Sequence, residues 1–261
     1  MDQLSELIKS AEKLVKALKE VQKPTSLEFS ELTSIEKAVS ALGAYRHADV
    51  GALLDIRKDE VKKAIAAKIE LRRQDLESAA RGGALTFRRF DTYDRLLPFK
   101  VEYRKTSVSV FVGSEELFKT EEIDGRVLYK RICEEYEQLI QGCLPRDRFL
   151  HAITVAFGAA KADGRVADGK VKVRDLFPYF VMARQLASDT FKKKPTAKNF
   201  SEFSLAAFAF ELYKFGDHTD GWTFGDRRLC NLGPNMATQH EALVLPDAGG
   251  NPTQILWLWM V

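Results

Sequence analysis

A chain of 261 residues with 45% hydrophobic and 10% aromatic side chains holds enough apolar material for one large or two small cores. Its 40 Lys and Arg nearly cancel its 37 Asp and Glu, and a net charge of +3 excludes a global field that would commit the molecule to nucleic acid or membrane. The longest apolar runs, residues 205–210 and 255–261, fall far short of the roughly 20 residues a membrane helix needs, and three cysteines without Cys-x-x-Cys spacing argue against a disulfide framework or a zinc site.

Residues 1–22 carry a heptad of Leu4, Leu7, Ala11, Leu14, Leu18 and Val21, with Lys or Glu at most other positions. This predicts an amphipathic helix that ends at Lys23-Pro24, because proline restricts the residue before it. Ile8 and Val15 widen the stripe beyond a two-helix seam. What the helix needs is a groove, on this chain or on another protein subunit, and Leu4, Leu7, Leu14 and Leu18 are the docking residues expected. Asp2 and Glu6 stand where a signal peptide would be positive, so a cytoplasmic protein is expected.

A second helical block follows. Ser34 is placed as the cap of a helix through Ile35, Val39, Leu42 and Tyr45; a short helix is expected over residues 49–54 and a longer one through Val61, Ile65, Ile69 and Leu76, ending at Arg81-Gly82-Gly83. Val50, Gly51, Leu54, Ile56 and Val61 have the spacing of a helix-turn-helix, which the stretch resembles over about 35 residues. That resemblance implies a turn at Asp55 and a second helix offering Arg57, Lys58, Lys62 and Lys63 to nucleic acid. Asp55 replaces the usual turn glycine, and Asp59 and Glu60 would lie near phosphates.

From residue 84 the period changes. Leu85-Thr86-Phe87, residues 99–103 and residues 107–112 alternate or are β-branched, predicting a small antiparallel sheet. Helical spacing returns at 127–140, 148–162, after Asp175, and at 200–215. The phenylalanine-rich last stretch is read as a buried helix. Residues 243–245 and 255–261 flank a Pro/Gly-rich turn and predict a C-terminal β-hairpin, with both faces of its second strand apolar. Trp257 and Trp259 on that strand are further candidates for docking a partner. The fold class expected is thus α+β, predominantly α-helical: a helical region over 1–83 with the helix-turn-helix-like unit, a sheet and helix over 84–142, and a helical body with the hairpin over 143–261.

Residues 161–198 hold ten Lys or Arg against four Asp. Lys192, Lys193, Lys194 and Lys198 beside Pro195 suit phosphate contact through counterion release. Gly164 to Val171 nearly spells a phosphate-binding P-loop, but Val171 replaces the Ser or Thr that would hold magnesium. Ala162, Asp163, Gly164 and Val166 form an Ala-Asp-Gly-x-Val turn that resembles TerB-like helical domains. Lys170 stands where that family has an acidic residue, so the resemblance implies no metal site. His47, His151, His218 and His240 are scattered, with no zinc-protease or serine-hydrolase template; Asp217, His218, Asp220 and Asp226 read as a polar loop, and Asp94, Glu102 and Lys105 as a faint nuclease pattern. No catalytic residue, metal or cofactor is therefore assigned. The leading expectation is a non-enzymatic subunit of a multi-protein assembly that contacts nucleic acid through its basic patches. A helix-turn-helix regulator and a metal-dependent nuclease or hydrolase with a dispersed site remain alternatives.

Overall fold

A computed structural model describes residues 2–23, 28–42, 48–121, 124–186, 188–216, 223–224, 227–230, 239–247 and 249–260. In chain order it has α1 (Asp2–Val21), α2 (Phe29–Leu42), α3 (Ala48–Ala80), β1 (Phe87–Arg89), β2 (Tyr93–Leu96), β3 (Phe99–Tyr103), β4 (Val108–Val112), β5 (Glu115–Thr120), α4 (Gly125–Gly142), α5 (Arg146–Ala162), β6 (Lys170–Lys172), α6 (Val173–Leu186), α7 (Asp189–Lys193), a 3-10 turn at Ala197–Asn199, α8 (Leu205–Phe215), β7 (Thr223–Phe224), β8 (Arg227–Cys230), a second 3-10 turn at Gln239–Glu241, β9 (Leu243–Pro246), β10 (Pro252–Ile255) and β11 (Trp257–Met260). The fold is mixed α+β and mostly helical, with a five-stranded antiparallel sheet and C-terminal hairpin strands, as the periodicities predict. Two compact units are present: Met1–Ala79 with Tyr103–Val108 and Thr120–Leu128, and Ala80–Glu102 with Ser109–Lys119 and Tyr129–Val261.

In the first unit α1 packs along α2, and Leu14, Ala17 and Val21 lie against a core of Phe29, Leu32, Ile35, Val39, Leu42, Val61 and Ile65. The groove sought by the C-terminal half of the heptad is therefore on this chain. The second helix starts five residues before Ser34, because the apolar register already begins at Phe29 and the Glu31 carboxylate accepts from the Glu28 backbone N–H at 3.2 Å, half of a capping box. The expected turn at Asp55 does not form. Residues 49–54 and 61–76, expected as two helices, belong to one unbroken α3, since nothing between Leu54 and Val61 is a helix breaker. It ends where Gly82, with φ of 78°, adopts the left-handed conformation that suits glycine past a helix terminus.

In the second unit β1 to β5 form a sheet in sequential order. Strand β2 is missing from the sequence reading because its Asp94 and Arg95 are both buried and disguise the apolar alternation. Gly113, at φ of 63° between β4 and β5, lies so close to the hairpin of β9 and β10 that a Cβ would meet the Val244 carbonyl oxygen at 1.6 Å. The expected hairpin partner strand is in fact two: β10 pairs with β9, whereas β11 runs between β6 and β8 in a separate sheet of order β6-β11-β8-β7. The helical side is an aromatic core. Phe149 meets Phe180 with ring centroids 5.6 Å apart, Phe180 meets Phe208 at 4.8 Å, and Phe208 meets Phe177 at 5.6 Å, joining α5, α6 and α8.

The near-P-loop has a local explanation. Helix α5 closes in a Schellman end: Gly164, at φ of 72°, donates to the Lys161 carbonyl, and Arg165 donates to the Ala160 carbonyl at 2.9 Å. Then Asp168 and Gly169, both with positive φ, make a two-residue hairpin turn in which Ala167 and Lys170 exchange backbone hydrogen bonds of 2.9 Å. These amides are paired within the chain, which explains the glycines without a phosphate.

Candidate functional site

Basic side chains from three helices come together at the start of α5 and the α6–α7 corner. On α5, Arg148, His151, Ala152 and Val155 fall at spacings of three and four and so share one face. Leu186 ends α6, and Lys192 comes from the short α7. Together with Ala183 of α6 these six line a cleft of about 410 Å³, with no carboxylate among the described residues of its lining. Its floor is apolar, with Val155 and Leu186 substantially exposed, and its rim is Arg148, His151 and Lys192. Lys193, Lys194 and Lys198 continue the positive surface beyond the rim, all exposed.

The segment after α7 is held in place from below. The Gln185 side chain, 1% exposed, donates to the Ser201 carbonyl at 2.6 Å and accepts from the Ser201 N–H at 3.0 Å, a two-bond clamp on the backbone. Asn199 donates to the Lys194 carbonyl at 2.8 Å and closes the loop carrying Lys198. Phe191 and Phe200 meet edge-on at 6.3 Å across the loop, with Phe200 38% exposed. Sequence spacing does not single out Arg148 and His151, because His151 taken as a lone histidine matches no template. Its i−3 arginine and i+4 valine are the signal that groups them.

Beside this face lies a smaller cleft of about 340 Å³ around Arg184 and Phe203. Arg184 pairs there with Glu211 at 2.7 Å, donates to the Gly142 carbonyl and lies 4.2 Å from the Phe203 ring centroid. The same Glu211 oxygen accepts from the Leu144 N–H at 2.9 Å. Burial pushes the Glu211 carboxyl above the ordinary glutamate range, and Arg184 only partly offsets it. The cluster ties α6 and α8 to the α4–α5 connection, and its cation is already satisfied. Burial likewise pushes the neighbouring Cys143 thiol up to about 11, so it is an inert group at neutral pH.

The remaining sequence candidates are placed as follows. Arg57 is not on an open face: its Nε donates to the Val21 carbonyl at 2.8 Å, another of its nitrogens to the Lys23 carbonyl, and a third pairs with Glu60 at 2.8 Å. It caps the C-terminus of α1, where free carbonyls and the helix dipole favour a cation. Lys58, Lys62 and Lys63 are exposed along α3. Leu14 packs inside the first unit, Leu18 is 40% exposed, and the side chains of Leu4 and Leu7 lie outside the described residues. Trp257 and Trp259 are half-buried on a strand hydrogen-bonded along both edges, so β11 has no free edge for a partner strand; the Lys170 ammonium lies 5.5 Å from the Trp259 ring centroid. Asp94 and Glu102 do not converge: Glu102 registers with Tyr93, which puts Asp94 on the opposite face of the sheet. Lys105 bonds Glu36 at 2.6 Å. Asp217, His218, Asp220 and Asp226 lie outside the described residues, and among the described residues no His, Cys, Asp and Glu group is arranged to hold a metal. No helix among them is long and apolar enough to cross a membrane. Compared with family models, curated proteins and solved structures, the chain matches none.

Proposed function

We propose that the chain is a non-enzymatic subunit of a cytoplasmic assembly that holds nucleic acid by its phosphates through Lys192, Lys193, Lys194 and Lys198, joined by Arg148 and His151. The observation that carries this reading is the convergence of Lys192 with Arg148 and His151 on a cleft with no carboxylate among the described residues of its lining. Surface lysines usually have acids among them, as Asp59 and Glu60 stand among Arg57 to Lys63 with Asp55 just before. Residues 191–200 have four lysines and no acid, which leaves the ammonium groups for an external anion. Protein docking belongs to α1, where Val15 and Leu18 stay exposed although their neighbour Leu14 packs on the core.

Titration of labelled 20-mer DNA against salt concentration tests the reading. Replacing about four phosphate counterions predicts a log–log slope of roughly −3 to −4. Lys192→Ala, Lys193→Ala and Lys194→Ala combined should flatten it by about 2 to 3. Absence of binding at 50 mM salt would overturn the proposal. Native mass measurement of the protein purified from its own host tests the assembly part, which a lone monomer would remove.

A further inference from the structure

Resting on that reading, we propose that the nucleic acid held at this face is single-stranded, with its bases against Phe200 and the apolar floor of the cleft and its phosphates on the lysines. A duplex keeps its bases stacked inside and shows a flat protein surface mainly phosphate and sugar. A face built for a duplex gains nothing from an exposed ring. Here the lysine run is bracketed by rings: Phe191 precedes Lys192 and Phe200 follows Lys198 by two residues. Phe200 is 38% exposed, whereas Phe208 and Phe210 of the same phenylalanine-rich segment are buried. Phe191 supports it edge-on at 6.3 Å and an interplanar angle of 72°, which leaves a face of Phe200 for stacking.

The ring is also fixed rather than trailing. Its neighbour Ser201 is clamped by both Gln185 bonds, and Phe200 donates its own N–H to the Ala197 carbonyl at 3.2 Å. A preformed platform lowers the ordering cost of binding. Val155 and Leu186 add an apolar surface beneath a cationic rim, the combination that unpaired bases with flanking phosphates require. Charge complementarity selects the occupant: the rim and loop present Arg148, Lys192, Lys193, Lys194 and Lys198, and the acids nearest in sequence are Asp147, Asp189 and Glu202 outside the 191–200 run.

The test compares full-length protein binding a labelled 20-nucleotide DNA strand and the duplex of the same sequence, by fluorescence anisotropy at 0.1 M salt. The strand should bind about tenfold more tightly, the scale of one base–ring stack. Phe200→Ala should abolish that ratio while leaving duplex affinity unchanged, and Phe200→Tyr should preserve it. Unchanged thermal midpoints for both variants show that the fold is intact. Equal or tighter duplex binding, or a ratio that survives Phe200→Ala, overturns this inference and leaves the proposed function standing. Binding of neither form overturns both.

Discussion

Two basic segments, Arg57 to Lys63 on α3 and Lys192 to Lys198 after α6, look alike in the sequence and differ in how their charges are partnered. The first interleaves its cations with Asp59 and Glu60, and its arginine is turned inward to cap α1 through the Val21 and Lys23 carbonyls. The second has no acids, no described partner for its lysines, and an adjoining cleft to which α5 contributes two more basic side chains. Positive charge counts as a binding surface only after the groups already answered by carbonyls and carboxylates are subtracted.

Arg184 gives the sharpest contrast, because it is a cation wholly committed to structure within the same unit as the open lysines. Arg184→Ala should destabilise the protein by about 3 to 5 kcal/mol, since it strands Glu211, which is 1% exposed, without its cation. The pH sign follows from burial. A carboxyl raised above 4.5 in the fold binds its proton more tightly there than in the unfolded chain, so its contribution is present at low pH and is lost as pH rises through the raised value. Removing Arg184 raises it further, so the penalty of Arg184→Ala should shrink as pH falls toward 4.5. Urea midpoints at several pH values check this; a penalty independent of pH would mean that Glu211 does not depend on Arg184.

Arg57→Ala should cost about 2 kcal/mol by urea unfolding, the scale of losing charge-assisted hydrogen bonds to helix-end carbonyls. It should leave nucleic-acid binding unchanged. Loss of binding without loss of stability would reverse the roles assigned to the two segments.

Helices α4 and α5 were legible to within two residues at each end, and α8 at its C-terminus, because apolar residues recur there at helical spacing; α8 starts at Leu205 and not at residue 200 as that spacing predicts. The strands with alternating apolar residues, β3 and β4, were legible for the same reason at period two. Strand β2 was hidden by Asp94 and Arg95, buried charges whose placement depends on the whole sheet. The turn expected at Asp55 failed because the anchoring residues of a helix-turn-helix are also ordinary helix residues, and spacing alone cannot say whether the backbone breaks. Of the candidate site, the lysines were visible as a run. The cleft was not, since it needs α5 to bring Arg148 and His151 to Lys192 across more than 40 residues of sequence, and the inward turn of Arg57 required knowing where α1 ends.

Lys192→Ala, Lys193→Ala and Lys194→Ala together should weaken strand binding by about tenfold or more at 0.1 M salt with under about 0.5 kcal/mol change in stability, as expected for exposed side chains away from any core.

The smallest effect expected is the most demanding test of the comparison. Lys58→Ala, Lys62→Ala and Lys63→Ala together remove three exposed cations, as many as the previous variant does, and alter the net charge equally. If binding followed total charge, both triple variants would weaken it alike. If it follows the local field, the α3 variant should shift affinity by less than about twofold, because Asp55, Asp59 and Glu60 already offset those lysines and the screening length at 0.1 M salt is about 10 Å. Anisotropy titrations of both variants at one salt concentration decide it. Equal losses would make the proposed face one basic patch among several, and a larger loss from the α3 variant would move the nucleic-acid site to the helix that the sequence first suggested.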